Sequence, residues 1–218
     1  MTDTNNNLFN TELISEVPEV VIQRLPLYVR VLSQFTNMLG GDVISSEQLA
    51  SHLQMTPAQI RKDLSYFGRF GKQGRGYNVD MLETKLRSIL GLDRTWNAAV
   101  VGMGRLGRAV VSYPGFSPEG FIINSAFDNS EKIIGKTISG LKVQPISNLT
   151  NSVEKLDIKI GIVAVPVGCA QEVIDILVEG GIKSILNYAP LSPKVPDDVV
   201  VREIDPVLSL KSMTYYMR

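Results

Sequence analysis

The feature that most constrains the fold is a glycine fingerprint near the middle of the chain. Gly102-Met-Gly104-Arg-Leu-Gly107 directly follows the apolar run Ala98–Val101 and opens a segment with helical periodicity. In a strand–turn–helix unit, the first glycine permits the tight turn, the second lets the backbone approach a pyrophosphate, and the third lets helix and strand pack closely. The free amides and the dipole of the helix start attract the pyrophosphate. The spacing predicts a Rossmann-type dinucleotide site.

An acidic residue also stands where this fingerprint requires one, about 20 residues beyond the glycines. Asp128 follows Gly107 by 21 residues and closes the predicted strand Phe121–Phe127. A carboxylate there accepts hydrogen bonds from a ribose diol and repels a 2′-phosphate, which favours NAD(H) over NADP(H). Two alternatives stay open: a glycine-rich turn without a ligand, and a turn that serves CoA or another nucleotide.

The second half of the chain alternates between strands and helices. The predicted strands are Ala98–Val101, Phe121–Phe127, Ile158–Val165, Ser184–Asn187 and Val199–Glu203, and the predicted helices are Leu106–Ser112, Ile146–Leu156 and Ala170–Glu179. The strand at 160–165 is almost continuously apolar, which is typical of a strand buried on both faces. This alternation predicts an α/β domain whose parallel sheet carries helices on both faces.

The first half of the chain predicts a helix-turn-helix. An amphipathic helix runs to about Leu39, with Pro26 expected to kink or restart it. Ser45 and Gln48 have capping-box spacing at the start of a short helix, and Thr56-Pro57 begins another. Two helices joined at 54–56 form a motif whose second helix can enter the major groove of DNA.

The second helix of this motif and the segment after it are rich in cations. Ile60, Leu64 and Phe67 are expected to point inward, and the outward residues are Arg61, Lys62, Ser65 and Tyr66. Glycines then predict a hairpin at 71–77 with Lys72 and Arg75 near its tip, and with Tyr77 and Val79 in the returning strand. Such a wing touches backbone phosphates. A solvated charged face explains the same local surplus of cations.

Composition limits the class of protein. The 218 residues are 44% hydrophobic and 20% charged with zero net charge, which is ordinary for a globular protein and excludes disorder as the main state. No apolar run has the length of a membrane span, and the polar start of the chain shows no secretory signal. Cys169 is the single cysteine, which excludes an intrachain disulfide and a cysteine-based metal site. We therefore expect a cytoplasmic location.

The residues offer little for catalysis. The sole histidine, His52, lies in the first helix of the helix-turn-helix and is expected to be a partly exposed surface or packing residue. Cys169 is expected to fill a small buried space. Tyr113, Lys183 and Tyr188 stand in no catalytic motif. A nucleotide-binding domain fused to a DNA reader predicts a sensor and not an enzyme. The rivals are a small NAD-dependent dehydrogenase with an accessory domain, and a nucleotide- or CoA-binding regulator without redox sense.

The end of the chain predicts a terminal helix with many apolar residues. Asp205-Pro206 has the form of a cap and first helical position. The apolar residues that follow are Val207, Leu208, Leu210, Met213, Tyr216 and Met217. This face packs on its own sheet or on a second subunit, and helix-turn-helix proteins commonly bind DNA as dimers. The expected organisation is a tail at 1–17, a winged-helix domain at 18–91, a Rossmann domain at 92–204 and a terminal helix at 205–218.

Taken together, several strings of this sequence resemble one family. They are Arg24-Leu-Pro-Leu-Tyr28, Arg61-Lys62-Asp63-Leu-Ser65-Tyr66-Phe67-Gly68, the wing 71–79, Val101–Gly107, Tyr113-Pro-Gly-Phe116, Ala126-Phe-Asp128, Ala164-Val-Pro166 and Gly181-Ile-Lys-Ser-Ile-Leu-Asn187. They resemble the redox-sensing transcriptional repressors of the Rex family, from about Val17 to the end of the chain. The resemblance implies a winged helix, a Rossmann domain, and a homodimer that exchanges its last helices. It also implies release of operator DNA when NADH binds.

The resemblance also implies site residues. For NAD(H) they are Gly102, Met103, Gly104, Arg105, Leu106, Gly107, Asp128, Val165, Pro166 and Asn187. For DNA they are Arg61, Lys62, Ser65, Tyr66, Lys72 and Arg75. Arg30, Tyr113 and Asp205 correspond to residues that link the DNA-binding domain, the cofactor pocket and the partner's helix. The sequence departs from the family at Pro206, where a bulky apolar residue is usual, and at Lys211, where Gln is usual.

Overall fold

The computed structural model describes residues 17–39, 42–70 and 75–217. The predicted tail at 1–17, apart from Val17, and Lys72 of the predicted wing lie outside the described residues. The chain divides into two compact units, one up to Asp93 and the other from Arg94.

The first unit is mainly helical. Its elements are α1 (Glu19–Leu39), β1 (Val43–Ile44), α2 (Ser46–Leu53), α3 (Pro57–Ser65), β2 (Tyr77–Asn78) and α4 (Val79–Ile89). Helix α1 continues through Pro26, so the expected restart is wrong, and a kink at this proline stays a prediction. Pro26 is exposed, and water can therefore bind the carbonyl that its missing N–H leaves free.

Side-chain caps position the two helices of the helix-turn-helix. The Ser45 hydroxyl accepts a hydrogen bond from the Gln48 amide at 3.1 Å, and the Gln48 side chain accepts one from the Ser45 amide at 2.9 Å. The Thr56 hydroxyl accepts from the Gln59 amide at 3.2 Å, with Pro57 in the first turn. Both predicted helix starts are therefore confirmed.

One apolar core holds this unit together. Its fully buried side chains include Leu25, Tyr28, Leu32, Ile44, Leu49, Ile60, Leu82 and Leu86. They come from α1, β1, α2, α3 and α4. Helix α3 is therefore fixed against α1 by its inner face.

The returning strand of the wing differs from the expectation. β2 pairs antiparallel with β1, with Ile44 opposite Tyr77. Val79 is not in the strand but is the first residue of α4, because the Asn78 side chain accepts a hydrogen bond from the Met81 amide at 2.8 Å and caps the helix.

The second unit is a seven-stranded α/β domain. Its elements are β3 (Trp96–Val101), α5 (Arg105–Ser112), β4 (Phe121–Asp128), β5 (Thr137–Ile138), β6 (Leu141–Pro145), α6 (Leu149–Lys155), β7 (Ile158–Val163), α7 (Val167–Glu179), β8 (Ser184–Asn187), β9 (Val200–Glu203) and α8 (Pro206–Met213), with 3₁₀ turns at Ser117–Glu119, Ile146–Asn148 and Thr214–Met217. The order across the sheet is β5-β6-β4-β3-β7-β8-β9. All neighbours are parallel except β5 and β6. This is the doubly wound Rossmann order, with β5 added at one edge.

Helices cover both faces of the sheet, which confirms the predicted fold class. Helix α5 packs through Val110 near Ala98 and Val100 on one face. Helices α6 and α7 pack on the other face around Val101 and Val163. The strands β5 and β6 were not anticipated, and the predicted strand at 158–165 ends two residues earlier, at Val163.

Helix α5 leaves part of its face of the sheet open. A groove of about 520 Å³, here called the sheet groove, lies over β7, β8 and β9. Its apolar lining includes Tyr113, Phe116, Ile160, Ile162, Leu186 and Val200. The terminal helix α8 also exposes its apolar residues: Val207, Leu208, Leu210 and Met213 are each at least half exposed.

Candidate functional site

Four strand ends meet at the carboxyl edge of the sheet. The register aligns Val101 with Phe127 on one side and with Val163 on the other, and Val163 with Asn187. The chain leaves β3 toward β4 and returns across the sheet to β7, so the strand order reverses beside β3. Open α/β sheets bind ligands at such a switch point. The glycine fingerprint lies at this point.

Each glycine of the fingerprint has the geometry that its predicted task requires. Gly102 has a φ of +95°, and a Cβ there would lie 2.6 Å from the Ala164 carbonyl oxygen. A Cβ on Gly107 would lie 1.8 Å from the Gly102 carbonyl oxygen, so only glycine lets α5 pack this closely. A Cβ on Gly104 would meet no atom within 4 Å. The chain therefore approaches itself closely at two glycines and leaves open space at Gly104.

The start of α5 faces this open space. Gly104 is its N-cap and supplies no side-chain hydrogen bond to the first turn. Arg105 and Leu106 in that turn are exposed, whereas Met103 is fully buried below it. A helix start with this form presents amide donors and the positive end of the dipole, which suit a pyrophosphate.

Asp128 closes the site from the end of β4. Its carboxylate accepts hydrogen bonds from the Met103 amide at 2.6 Å and from the Ser130 amide at 2.8 Å. A carboxylate has about four acceptor positions, so it retains capacity for a ribose diol. Arg108 supports the same loop by donating to the Met103 carbonyl at 3.0 Å, a contact that the sequence did not reveal.

Val165 and Pro166 border the glycine loop from β7. The Val165 Cγ1 atom lies 2.7 Å from the position of a Cβ on Gly102, and Pro166 is the N-cap of α7. The structure therefore brings 102–107, Asp128, Val165 and Pro166 together at the carboxyl edge.

Asn187 occupies the same edge but binds its own loop. Its side chain is fully buried and donates to the Ala189 and Leu191 carbonyls at 3.0 and 3.1 Å. Its oxygen accepts from the Ala189 amide at 2.9 Å. Asn187 thus shapes the turn after β8, and a direct contact with a cofactor stays a prediction.

The recognition helix α3 presents polar residues on its outer face. Arg61, Lys62 and Ser65 are exposed, and Tyr66 is half-buried. The Arg61 Nη1 atom donates to the Ser46 hydroxyl at 2.7 Å and contacts Glu47 at 3.2 Å. Arg75, in the wing segment that the structure describes from residue 75 onward, is also exposed. These side chains have the charge and position of a phosphate- and base-contacting surface.

The inner face of α3 holds a charge that the sequence analysis did not anticipate. Asp63 is completely buried. Burial alone would raise the pKa of its carboxyl group, but hydrogen bonds from Arg24, Tyr28 and Gln59 outweigh that effect and hold the pKa below its ordinary value. Burial and the bond to Asp63 raise the pKa of Tyr28. The helical spacing of 63 with Ile60 and Leu64 was the available signal.

The three predicted coupling residues lie in both units. Arg30 is an exposed residue of α1 in the first unit. Tyr113 is 60% exposed, with its ring edge-on to Phe116, and Asp205 caps α8 by accepting from the Val207 amide at 2.8 Å. Their joint role stays a prediction.

The expectation for one reactive side chain agrees with the structure, and the expectation for another does not. His52 is exposed in the last turn of α2, as expected. Cys169 is also exposed, so the expectation of a buried role is wrong. The helix it belongs to begins at Val167, earlier than predicted, which places Cys169 in the first turn at the edge of the sheet.

Among residues 17–39, 42–70 and 75–217, no helix combines the length and apolar character needed to cross a membrane.

Comparisons with known proteins agree with the two-unit organisation. The family model described as "Putative DNA-binding protein N-terminus" matches residues 16–65, and the model described as "CoA binding domain" matches residues 93–191. Solved structures of RSP, a Rex-family repressor, superpose over 92–93% of this chain. One has a TM-score of 0.85 at 37% identity and covers 93% of that chain. The complex of RSP with NAD⁺ and operator DNA has a TM-score of 0.86 at 39% identity over 92% of both chains.

Curated relatives match over nearly the full length. The redox-sensing transcriptional repressor Rex of Roseiflexus sp. (strain RS-1) is 49% identical over 94% of this chain and 92% of the relative. That of Syntrophomonas wolfei is 42% identical over 94% and 97%. These matches cover 94% of this chain and therefore include both units. The chain therefore belongs to the Rex family of redox-sensing transcriptional repressors.

Proposed function

We propose that this protein is a transcriptional repressor that senses the NADH/NAD⁺ ratio in the cytoplasm. Its first unit binds operator DNA through α3 and the wing, and its second unit binds NAD(H) at the glycine fingerprint. NADH binding releases the DNA. The observation that carries this proposal is the presence, in one chain, of an exposed cationic recognition helix and a dinucleotide site at the Rossmann switch point.

The residues of the second unit fit NAD(H). Open space at Gly104, the amides at the start of α5 and the Asp128 carboxylate suit a pyrophosphate followed by a ribose with a free 2′-hydroxyl. The same carboxylate repels a 2′-phosphate, which favours NAD(H) over NADP(H). Gly104, Arg105 and Leu106 would border the pyrophosphate, and Val165 and Pro166 would border the cofactor from β7.

The rival functions have less support. Relatives that match nearly the whole chain are described as repressors, and a dehydrogenase has no use for a recognition helix. The name of the model that matches the Rossmann unit refers to CoA. Asp128 favours a ribose whose 2′- and 3′-hydroxyls are both free, and the ribose of CoA carries a 3′-phosphate in place of one of them.

The repressor acts as a homodimer that exchanges its last helices. Helix α8 exposes Leu208 and Leu210, and the sheet groove exposes an apolar surface of its own. Burial of apolar surface favours association at about 25 cal/mol per Å². A second copy of the chain offers both surfaces at once, so each subunit's α8 covers apolar surface on its partner.

Arg30, Tyr113 and Asp205 carry the signal between cofactor and DNA in this proposal. A guanidinium, a phenol and a carboxylate form charge-assisted hydrogen bonds when they meet. Asp205 begins the helix that enters the partner, so its position reports the arrangement of the dimer.

The test is a gel shift with DNA that the protein itself selects. A pool of random duplexes is enriched on the wild-type protein, and the enriched duplex is then titrated with protein alone and with NADH, NAD⁺ or NADPH. The proposal expects a shifted band that NADH abolishes at a lower concentration than NADPH does. Failure to enrich any sequence, or a band indifferent to NADH, would refute it.

A further inference from the structure

The recognition helix is held to α1 by a cluster of four side chains around the buried Asp63, here called the Asp63 clasp; Tyr28 is buried as well, and Arg24 and Gln59 are partly exposed. Asp63 accepts hydrogen bonds from Arg24 Nε at 2.6 Å and from Arg24 Nη2 at 2.7 Å, so the guanidinium binds it as a two-pronged fork. The Tyr28 hydroxyl donates to it at 2.5 Å and Gln59 Nε2 at 2.7 Å. Arg24 and Tyr28 belong to α1, and Gln59 and Asp63 belong to α3.

The clasp lies where an apolar side chain would suffice for packing. The neighbours of Asp63 on the inner face of α3, Ile60 and Leu64, are buried in the apolar core. A charge in such a place costs desolvation energy, and replacing a buried ion pair by apolar residues is often neutral or stabilising. Packing alone therefore does not account for Asp63. The carboxylate adds a fixed orientation of α3 relative to α1, because hydrogen bonds form only over narrow ranges of distance and angle.

The orientation of α3 matters because the outer face of this helix carries the residues proposed to contact DNA. Arg61 and Lys62 precede Asp63 immediately, and Ser65 follows it by two positions, so any rotation at Asp63 rotates them as well. At the outer radius of a helix, a 20° rotation moves a side-chain tip by about 2 Å. A displacement of that size breaks a hydrogen bond to a base edge but leaves attraction to phosphates almost unchanged.

The structure assigns to Asp63 the role of a positioning residue for operator recognition: clasped by Arg24 and Tyr28, it sets the rotation of α3 so that Arg61 and its neighbours meet the base edges in register. This role rests on the proposed function. It concerns the choice of sequence and not the general affinity for DNA.

The experiment compares operator with non-operator DNA for clasp variants. Fluorescence anisotropy at fixed salt measures the affinity of full-length protein for the duplex selected by the wild type and for a scrambled duplex of equal length. Arg24→Lys keeps the charge and loses the fork, and Tyr28→Phe removes one hydrogen bond while Asp63 keeps those from Arg24 and Gln59. Asp63→Asn completes the series. Gln23→Ala, an exposed change on α1 next to Arg24 that removes a hydrogen bond to Glu19 at 3.1 Å, is the matched control.

We expect the ratio of operator to scrambled affinity to fall by about tenfold in Arg24→Lys, the loss typical of one misplaced base contact, and less in Tyr28→Phe. Affinity for the scrambled duplex and its salt dependence should stay at wild-type values, as should every reading of Gln23→Ala. Each variant is measured below its own melting temperature, so a loss of stability alone does not change the ratio.

A wild-type ratio in folded Arg24→Lys and Tyr28→Phe would overturn the role of Asp63, and so would unfolding of Tyr28→Phe, since the clasp would then serve stability. If Asp63→Asn fails to fold, the other two variants still decide. A wild-type protein that does not distinguish the two duplexes would instead refute the proposed function.

Discussion

At the scale of single residues, the glycine fingerprint allows a sharp test of the cofactor site. Gly104→Val should abolish NADH binding and leave the fold intact, because its side chain would enter the space proposed for the pyrophosphate and meets no protein atom within 4 Å of its Cβ. Calorimetric titration with NADH and a thermal melt check both points. Gly107→Ala is the contrast: its Cβ collides with backbone, so it should lower the melting temperature. NADH binding by Gly104→Val at wild-type affinity would remove the site from this loop.

Asp128 tests the choice between cofactors. Asp128→Asn keeps an acceptor oxygen for the Met103 amide but loses the negative charge. We expect weaker NADH binding and a smaller preference for NADH over NADPH, measured by titration with each. Asp128→Ala should show the same change in preference with an additional loss of loop stability. An unchanged preference in both variants would contradict the assignment of Asp128 to the ribose.

Asp63 and Tyr28 predict opposite pH limits of stability. The pKa of Asp63 is held below its ordinary 3.8, so its contribution is present above that pH and is lost as pH falls through the folded value. The pKa of Tyr28 is raised above its ordinary 10.0, so its contribution is present below pH 10 and is lost as pH rises. Melting temperatures should therefore fall at both extremes in the wild type. Tyr28→Phe should lose the alkaline component, and an identical alkaline profile would contradict this.

At the scale of elements, the recognition helix and the wing should have separable effects. Arg61→Ala removes a side chain able to bond guanine, worth about 1–3 kcal/mol, and should weaken binding of the selected duplex at least several-fold. Arg75→Ala, and Lys72→Ala in the same wing, should weaken binding to all duplexes alike and flatten the salt dependence. Anisotropy titrations at several salt concentrations separate the two outcomes. Wild-type binding by all three variants would show that the surface is misassigned.

The exposed apolar residues of α8 lead to a prediction about dimer formation. Leu208→Asp with Leu210→Asp should convert dimers to monomers, because each buried Leu contributes about 1.5–3 kcal/mol to association. Sedimentation analysis measures the change, and Ser147→Asp, an exposed residue outside α8, controls for added charge. Dimers that persist in the double variant would place the interface elsewhere.

Elements with strong local signals could be predicted from the sequence, and others could not. The starts of α2 and α3 follow from caps that involve neighbours within three residues, and β3 with α5 follows from the fingerprint. The strand β6 could not be predicted because Leu141–Pro145 is short and contains both polar and apolar residues. Its pairing also depends on β4, which is distant in sequence. The role of Asp63 could not be predicted either, because its partners Arg24 and Tyr28 lie 39 and 35 residues away along the chain. The resemblance assigns Asn187 to the cofactor, and only the structure shows its hydrogen bonds to its own loop.

At the scale of the whole molecule, coupling between the two ligands should be separable from binding of either. Arg30→Ala or Asp205→Ala should leave NADH affinity nearly unchanged and reduce the power of NADH to release DNA. Operator affinity at zero and saturating NADH gives a ratio for each variant. The alternative is that Arg30 is a solvated cation and Asp205 only a cap of α8, in which case both ratios equal that of the wild type.

The central claim is that NADH and operator DNA bind competing arrangements of one molecule. Linkage makes their effects reciprocal, and coupling of this kind typically amounts to about 1–3 kcal/mol. The most direct measurement is therefore the NADH affinity of the wild-type protein, free and saturated with the selected duplex. We predict that the duplex weakens NADH binding by about 5- to 150-fold, by the same factor with which NADH weakens DNA binding. Equal NADH affinity in the two states would contradict the account.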